Sequence, residues 1–466
     1  MSSVRWGARL ILVTLLFQSA AAARLPWRAG VSKVKITPQG SLWMAGYASR
    51  TKPSEGVYQD LYVRALALQD PAAGRAVLVT SDLLGFPGEL SARVFARAQK
   101  QYQLPRDRLL LSSSHTHGGP VVGGSLGLVY NLTPEQQSAV DAYTRELEEN
   151  ILAAIGMALK DLHPATLSFA HTEAHFGFNR REKTDKGIVI GVNEAGPVDP
   201  DVPVLIVEGK GGKLRAVVFG YACHNTTARE FMQFNGDYAG FAEAWLETQH
   251  PGIIALFMSG CGGDINPNPR GAIDLARQYG EELAKAVDNA LPKPRVVLKP
   301  PLETASETFP VAFAAPPTRE ELQARLQDKD IYIQRHAAEM LNILDRDGHL
   351  PTSYPYPLQV WQFGREMTLI ALAGEVVVDY ALRLKKELGP DSVWAASYCN
   401  DVFAYIPSRR VLEEGGYEGG GAMIYYGQPG PFAPNVEETI VGKVHDVVNQ
   451  LRDRTAKQTS RKSTTP

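Results

Sequence analysis

The chain has 466 residues, with 48 Lys plus Arg against 50 Asp plus Glu and a formal charge of −2. Charged residues at 21% and hydrophobic ones at 44% are ordinary for a folded protein, which excludes a disordered tail, a collagen-like fibre or a coiled coil as the main architecture. Near-neutral charge leaves no electrostatic footprint for nucleic acid, and 3 cysteines make no disulfide scaffold in a chain long enough to bury a large core.

Arg5 and Arg9 precede the apolar run Leu10 to Phe17, and Ala21-Ala22-Ala23 offers a small-residue cleavage site. Residues 1–23 therefore read as a secretory signal, with an uncleaved anchor as the alternative. No later stretch is long and apolar enough for a transmembrane helix, so the mature protein is expected to be secreted or periplasmic. Leu61 to Gln69 turns at Asp70–Gly74 and returns as Ala76 to Thr80. Val204 to Val207 turns at Gly209–Gly212 and returns as Leu214 to Ala222. Gln359 to Phe363 turns at Gly364-Arg365 and returns as Met367 to Ala371. These read as three hairpins. Arg108 to Leu111 and Ile253 to Met258 read as buried strands. Thr133 with Pro134 and Gln136 predicts a helix to about Leu162, and Thr318 with Glu321 predicts another ending near Leu344. The segment Arg452 to Pro466 is basic, Ser/Thr-rich and aperiodic, and is expected to be a disordered tail (452–466) with weak attraction to anionic surfaces. The whole reads as an α/β fold: a mixed β-sheet core with hairpins, covered by helices, in a single large catalytic domain over 24–451.

Chemistry-bearing residues gather at the strand ends. Leu109 to Ser114 stops at His115-Thr116-His117-Gly118-Gly119, Ala216 to Ala222 at Cys223-His224-Asn225, and Met367 to Ala373 at Gly374-Glu375. Ligands of α/β sheets sit beyond such carboxyl ends. In an extended backbone, His115 and His117 put both rings on one side. Neutral imidazoles with a carboxylate suit a catalytic divalent metal, which keeps a position open for water. Taken alone, Glu375 could equally serve the N-terminus of a helix over Val376 to Leu388. Asp82, Asp237 and Asp264 are expected either to orient the imidazoles or to serve turns and helix starts. Cys223, Cys261 and Cys399 are expected as buried thiols, with a Cys223–Cys261 bridge as the alternative.

The ordered motifs Ala29 to Pro38, Met44 to Tyr47, Ser113 to Pro120, Ala222 to Asn225, Gly262-Gly263-Asp264, Ala373-Gly374-Glu375 and Asn400 to Gly419 resemble the catalytic domain of the neutral/alkaline, non-lysosomal ceramidases, zinc amidases that split the N-acyl bond of ceramide. The resemblance spans almost the whole mature chain. It implies a Zn2+ held by His115, His224, Glu375 and Tyr405, with His117, Arg180 and Tyr417 around the scissile amide. For Arg180, a surface cation beside Arg181 is the alternative. The sequence departs from the family at Asn266, which stands where the family has a serine proposed as nucleophile. Asn cannot form an acyl-enzyme, so a zinc-activated water is the expected nucleophile, and Asn266 is a candidate hydrogen-bond donor. Gly420-Gly421-Ala422 replaces the family's Ala-Ser-Thr at the pocket rim. A counterpart to the family's immunoglobulin-like C-terminal domain is not expected, which weakens the case for ceramide in bilayers. The expected function is hydrolysis of ceramide or a related lipid amide, met at a membrane surface. The alternatives are a zinc hydrolase of esters, lactones or phosphoesters, and a non-catalytic lipid-binding module stabilised by metal.

Overall fold

The structure, a computed structural model, describes residues 27–71 and 74–463. The expected signal segment lies outside these residues. Strands β1 (Trp27–Lys35), β2 (Tyr62–Asp70), β3 (Gly74–Ser81) and β4 (Leu109–Ser113) make one half of a large sheet. Strands β5 (His163–Glu173), β8 (Asp201–Glu208), β9 (Leu214–Tyr221) and β10 (Ile254–Ser259) make the other. The spatial order is β10-β9-β8-β5-β1-β2-β3-β4. Between β5 and β8 lies the hairpin β6 (Gly177–Thr184) and β7 (Gly187–Asn193), which joins β11 (Ile265–Pro267) in a separate small sheet. The hairpins β2–β3 and β8–β9 pair antiparallel as their turns require, whereas β3–β4 and β9–β10 are parallel.

Each strand alternates between two buried faces. Val63, Ala65, Val77, Val79, Leu109 and Leu111 pack under helices α1 (Gly88–Tyr102) and α2 (Pro134–Lys160). Val204, Ile206, Val217, Phe219, Ala255 and Phe257 pack under α3 (Asp237–Gln249) and α4 (Ile273–Ala290). The intervening Leu66, Leu78, Leu110, Leu205, Val218 and Leu256 meet a second sheet. That sheet holds β12 (Leu302–Ala312), β13 (Ser353–Phe363), β14 (Met367–Leu372) and, parallel to β14, β16 (Val393–Ala396). Its inner Trp361, Phe363, Leu369 and Trp394 complete the central core. Its outer face packs under α7 (Val378–Leu388) and α8 (Val436–Ser463). The mixed, helix-covered sheet expected from the sequence is thus two stacked sheets between two helical layers.

Local signals hold where they are chemically explicit. Thr133 and Thr318 both form reciprocal capping boxes. The segment after Thr318 is two helices, α5 (Arg319–Arg325) and α6 (Ile331–Asp347), because Asp330 caps a new start by accepting from Tyr332 N at 2.8 Å. Helix α8 continues to Ser463, where a disordered tail from Arg452 was expected. Leu451 and Thr455 are still buried, and each further helical residue adds a hydrogen bond to a helix already nucleated.

Candidate metal centre and its cavity

The two edges of the large sheet meet at their carboxyl ends. Ser259 Oγ, ending β10, donates to Ser114 O just past β4 at 2.8 Å; Asn225 Nδ2 also donates to that carbonyl, and Thr116 bridges Asn225. Residues 115 and 224, remote in the strand order, are brought side by side by this closure. Glu375 arrives from the second sheet on a short strand β15 (Glu375–Val376), which pairs in parallel with β17 (Tyr405–Ile406) so that Glu375 lies opposite Tyr405. Gly374 turns the chain there at φ +79, a conformation that favours glycine.

His115 is not extended: its φ is +58, in the left-handed region. The same-side argument from strand alternation therefore does not apply, and the two rings meet through this kink instead. His117 Nε2 lies 3.2 Å from His115 Nε2, with the rings nearly perpendicular at 83°. His115 Nδ1 donates to Leu84 O at 2.7 Å and His224 Nδ1 to Gly262 O at 2.7 Å. A carbonyl only accepts, so both Nδ1 atoms carry the proton and both Nε2 atoms keep a lone pair. Those two atoms lie 3.1 and 3.0 Å from Glu375 Oε2. Tyr405 OH is 3.2 Å from His224 Nε2. All of these residues are buried. Ligand nitrogens of His115, His117 and His224 lie within 4.8 Å of one another. Arg180 Nη1 also lies 3.2 Å from His224 Nε2, at the rim of the cluster. The lone pairs of His115, His224 and Glu375 that converge inside it fit a divalent cation, and an N/O donor set of this kind suits zinc.

Burial opposes the charge of Glu375, but positive charge and hydrogen bonding on the side of His115 and His224 outweigh it and hold the carboxyl well below the usual range, a role that falls to a cation when those imidazoles are neutral. Burial and then the Arg180 cation lower His224 to about 4. Burial, with His115 and His224 beside it, holds His117 well below the usual imidazole range. Burial raises Tyr405 and Tyr417 above the ordinary phenol value.

Arg180, on β6, is buried rather than a surface cation. Its Nε donates to Glu418 Oε1 at 2.6 Å and its Nη2 to Tyr405 OH at 3.0 Å. Glu418 also holds Arg181, through Oε2 at 2.7 Å. Tyr417 sits with its ring centroid 5.2 Å from that of Tyr405. All seven site residues expected from the sequence line or adjoin one cavity of about 230 Å³.

The three aspartates do not touch the imidazoles. Asp82 pairs with Arg64 at 3.0 Å, Asp237 accepts from Ala228 N at 2.8 Å, and Asp264 accepts from Val378 N at 2.8 Å, at the start of α7. Backbone carbonyls take the orienting role instead, and Asp264, not Glu375, serves that helix. The three cysteines are free and buried, without the Cys223–Cys261 bridge. Sequence reasoning missed Tyr426, whose hydroxyl donates to Glu375 Oε1, and Tyr398, whose ring stacks on His115 at 4.3 Å and whose hydroxyl reaches Glu375 Oε2 at 3.4 Å. It also missed the Arg180–Glu418 pair and Tyr47, whose ring lies 4.7 Å from that of His117. Tyr47 had one available signal, the neighbouring Gly46. At φ +96, a Cβ on Gly46 lands 2.2 Å from His117 Nδ1.

Stacked sheets that deliver two imidazoles, a carboxylate and a phenol to one buried point define an α/β protein with a cluster that could hold a metal ion. The chain belongs to the neutral/alkaline non-lysosomal ceramidase family, whose N-terminal profile matches residues 27–283. It is similar to the neutral ceramidase of Pseudomonas aeruginosa, 26% identical over 284 residues, which are 58% of this chain and 41% of that protein. It is also similar to neutral ceramidase A of Dictyostelium discoideum, 26% identical over 253 residues, 49% of this chain and 34% of that one. The chain thus aligns with less than half the length of these relatives. The crystal structure of the Pseudomonas aeruginosa neutral ceramidase shares its fold with a TM-score of 0.69 at 20% identity, covering 89% of this chain and 72% of that one. A second solved structure, a ceramidase complexed with C2, aligns with a TM-score of 0.70 at 19% identity. No helix among the described residues is long and apolar enough to cross a membrane.

Proposed function

We propose that this protein is an exported, zinc-dependent hydrolase of the N-acyl amide of ceramide or a related lipid amide, with Zn2+ held by His115, His224, Glu375 and Tyr405. The observation that carries the reading is the convergence of His115 Nε2 and His224 Nε2 on Glu375 Oε2, at 3.1 and 3.0 Å, beside a cavity. Zinc bound there supplies a water acidic enough to ionise near neutral pH and polarises the acyl carbonyl. Neutral His117 has a free lone pair to accept a proton and can then return it to the departing nitrogen. Tyr417, kept as a phenol by burial, offers an O–H to the oxygen on which negative charge develops. Arg180, fixed by Glu418, holds the Tyr405 hydroxyl in place and raises the local positive potential. Exposed Val189, Ile190 and Val192 on β7, with Ile190 also lining the cavity, support an apolar acyl chain along that rim.

The test is fatty-acid release from a mixed pool of ceramides and N-acyl amino acids, with zinc content measured on the same sample. About one zinc per chain and activity that a chelator removes and zinc restores is the expected result. Amide hydrolysis by metal-free protein overturns the metal assignment, and ester cleavage without amine release overturns the amide assignment.

A further inference from the structure

The cavity beside the cluster is electrically lopsided. Glu375 is the one carboxylate among its lining residues, and two imidazoles already face it. Arg180 has a carboxylate partner in Glu418, which it shares with Arg181. Arg270 also lines the cavity and is half-buried, yet no carboxylate among the described residues pairs with it. Its guanidinium makes one side-chain hydrogen bond, from Nη1 to Thr226 Oγ1 at 3.4 Å. Burial lowers its pKa, the neighbouring Tyr47 phenol works against that, and the nearby cations Arg180 and Arg229 lower it further. A half-buried guanidinium with cations beside it and no carboxylate partner keeps donors free for an incoming anion.

Two further donors on the cavity lining are unanswered. Asn266 turns its Oδ1 to Arg180 Nη1 at 3.3 Å and Thr226 Oγ1 at 3.4 Å, leaving its buried Nδ2 without a partner. The hydroxyl of Tyr47 is likewise buried and unpartnered. A cation and two spare donors, with no acid to oppose them, are complementary to an oxyanion. Ceramide offers only neutral hydroxyls and leaves the guanidinium unbalanced.

We propose that the amide substrate carries a carboxylate on its amine side, as in an N-acyl amino acid, and that Arg270 is the specificity-determining residue that receives it. The inference rests on the amide-hydrolase reading above. Water adds across the C–N bond, the acyl carbon takes the oxygen, the nitrogen takes a proton, and a fatty acid and a free amino acid leave.

The experiment compares N-lauroylglycine with its uncharged isostere N-lauroylglycinamide and with a short-chain ceramide, using zinc-loaded wild-type protein, Arg270→Gln and Arg270→Lys. Wild type is expected to prefer the acid over the isostere by roughly 10- to 100-fold in kcat/KM, the range for a hydrogen bond to a charged group. Arg270→Gln collapses that ratio towards one, mainly through KM, and Arg270→Lys restores part of it. Equal rates on acid and isostere in wild type, or an unchanged ratio in Arg270→Gln, overturn the proposal. If none of the three amides is cleaved, the hydrolase reading fails by itself, and calorimetric binding of the same acid and isostere decides the other question. Preference for the acid that disappears in Arg270→Gln keeps the assignment of Arg270; equal binding or no binding removes it.

Discussion

The large sheet carries two buried clusters of charge, and they are built on opposite plans. At the first, the Arg64 guanidinium lies 3.0 Å from Asp82 and 2.8 Å from Glu243, all three nearly inaccessible. Burial holds the Glu243 carboxyl well above the usual range while Arg64 works against that, and Glu247 approaches Arg64 Nε at 3.9 Å. The protein answers its own charge there, and nothing is left for a ligand. At the second, His115, His224 and Glu375 present lone pairs to one point, and the chain's nearest cation reaches it from one side only, with Arg180 Nη1 3.2 Å from His224 Nε2. A buried carboxylate facing an arginine is a structural tie, whereas one facing two proton-free imidazole nitrogens is a socket for a cation that the chain does not supply.

That contrast can be broken most severely at the socket. His115→Ala and Glu375→Gln are expected to bring amide hydrolysis to background and to deplete bound zinc, while the circular dichroism spectrum stays that of a folded protein. Arg64→Met should do the reverse. It strands two buried acids and costs about 3–5 kcal/mol of stability by chemical denaturation, with the zinc content of the folded fraction unchanged. Asp264 sharpens the comparison through pH, since burial raises its carboxyl to about 6 from 3.8. The folded state therefore holds that proton more tightly than the unfolded chain. Its contribution is fully present below about pH 4, is lost as pH rises through about 6, and amounts to roughly 3 kcal/mol. Urea midpoints measured from pH 4 to pH 7 should fall in wild type and fall less steeply in Asp264→Asn, since other buried carboxyls such as Asp401, also raised to about 6, remain. Tyr426→Phe removes a hydrogen bond to Glu375 and should weaken zinc binding by about 10- to 100-fold in competition with a chromogenic chelator. The smallest effect belongs far from either cluster: Thr318→Ala should cost about 1 kcal/mol by loss of the α5 cap and leave kcat/KM alone.

How much of this was legible beforehand follows from how far each interaction reaches along the chain. The capping boxes at Thr133 and Thr318 and the three hairpins were readable because each is decided within a few residues. The strand ends at His115, His224 and Glu375 were readable as candidates because each lies where an apolar run stops. Their geometry was not. Alternation along an extended strand gave a plausible reason for His115 and His117 to face one way, but the backbone kinks at His115. Asp82 and Asp264 were open to two readings, as partners for the imidazoles or as groups serving turns and helix starts; Asp264 serves the start of α7, and Asp82 pairs with Arg64 on the neighbouring strand. Tyr398, Tyr426 and Arg270 carried no local signal, since an isolated Tyr or Arg has the same sequence appearance at a surface and in a cavity.

By itself, then, the sequence determined the kinds of element, their caps and turns, and the set of donor types available for a metal, because these depend on spacing and side-chain chemistry within short windows. The tertiary structure alone decided that the helix-covered core is two sheets rather than one, that the edges of the larger sheet close beside Ser114, and that this closure sets 115 against 224. It also decided which buried charges are answered from within. Those outcomes depend on contacts between different strands and layers, many of them more than a hundred positions apart as between Ser114 and Ser259, which are selected by the packing of whole layers and leave no periodic trace in the chain.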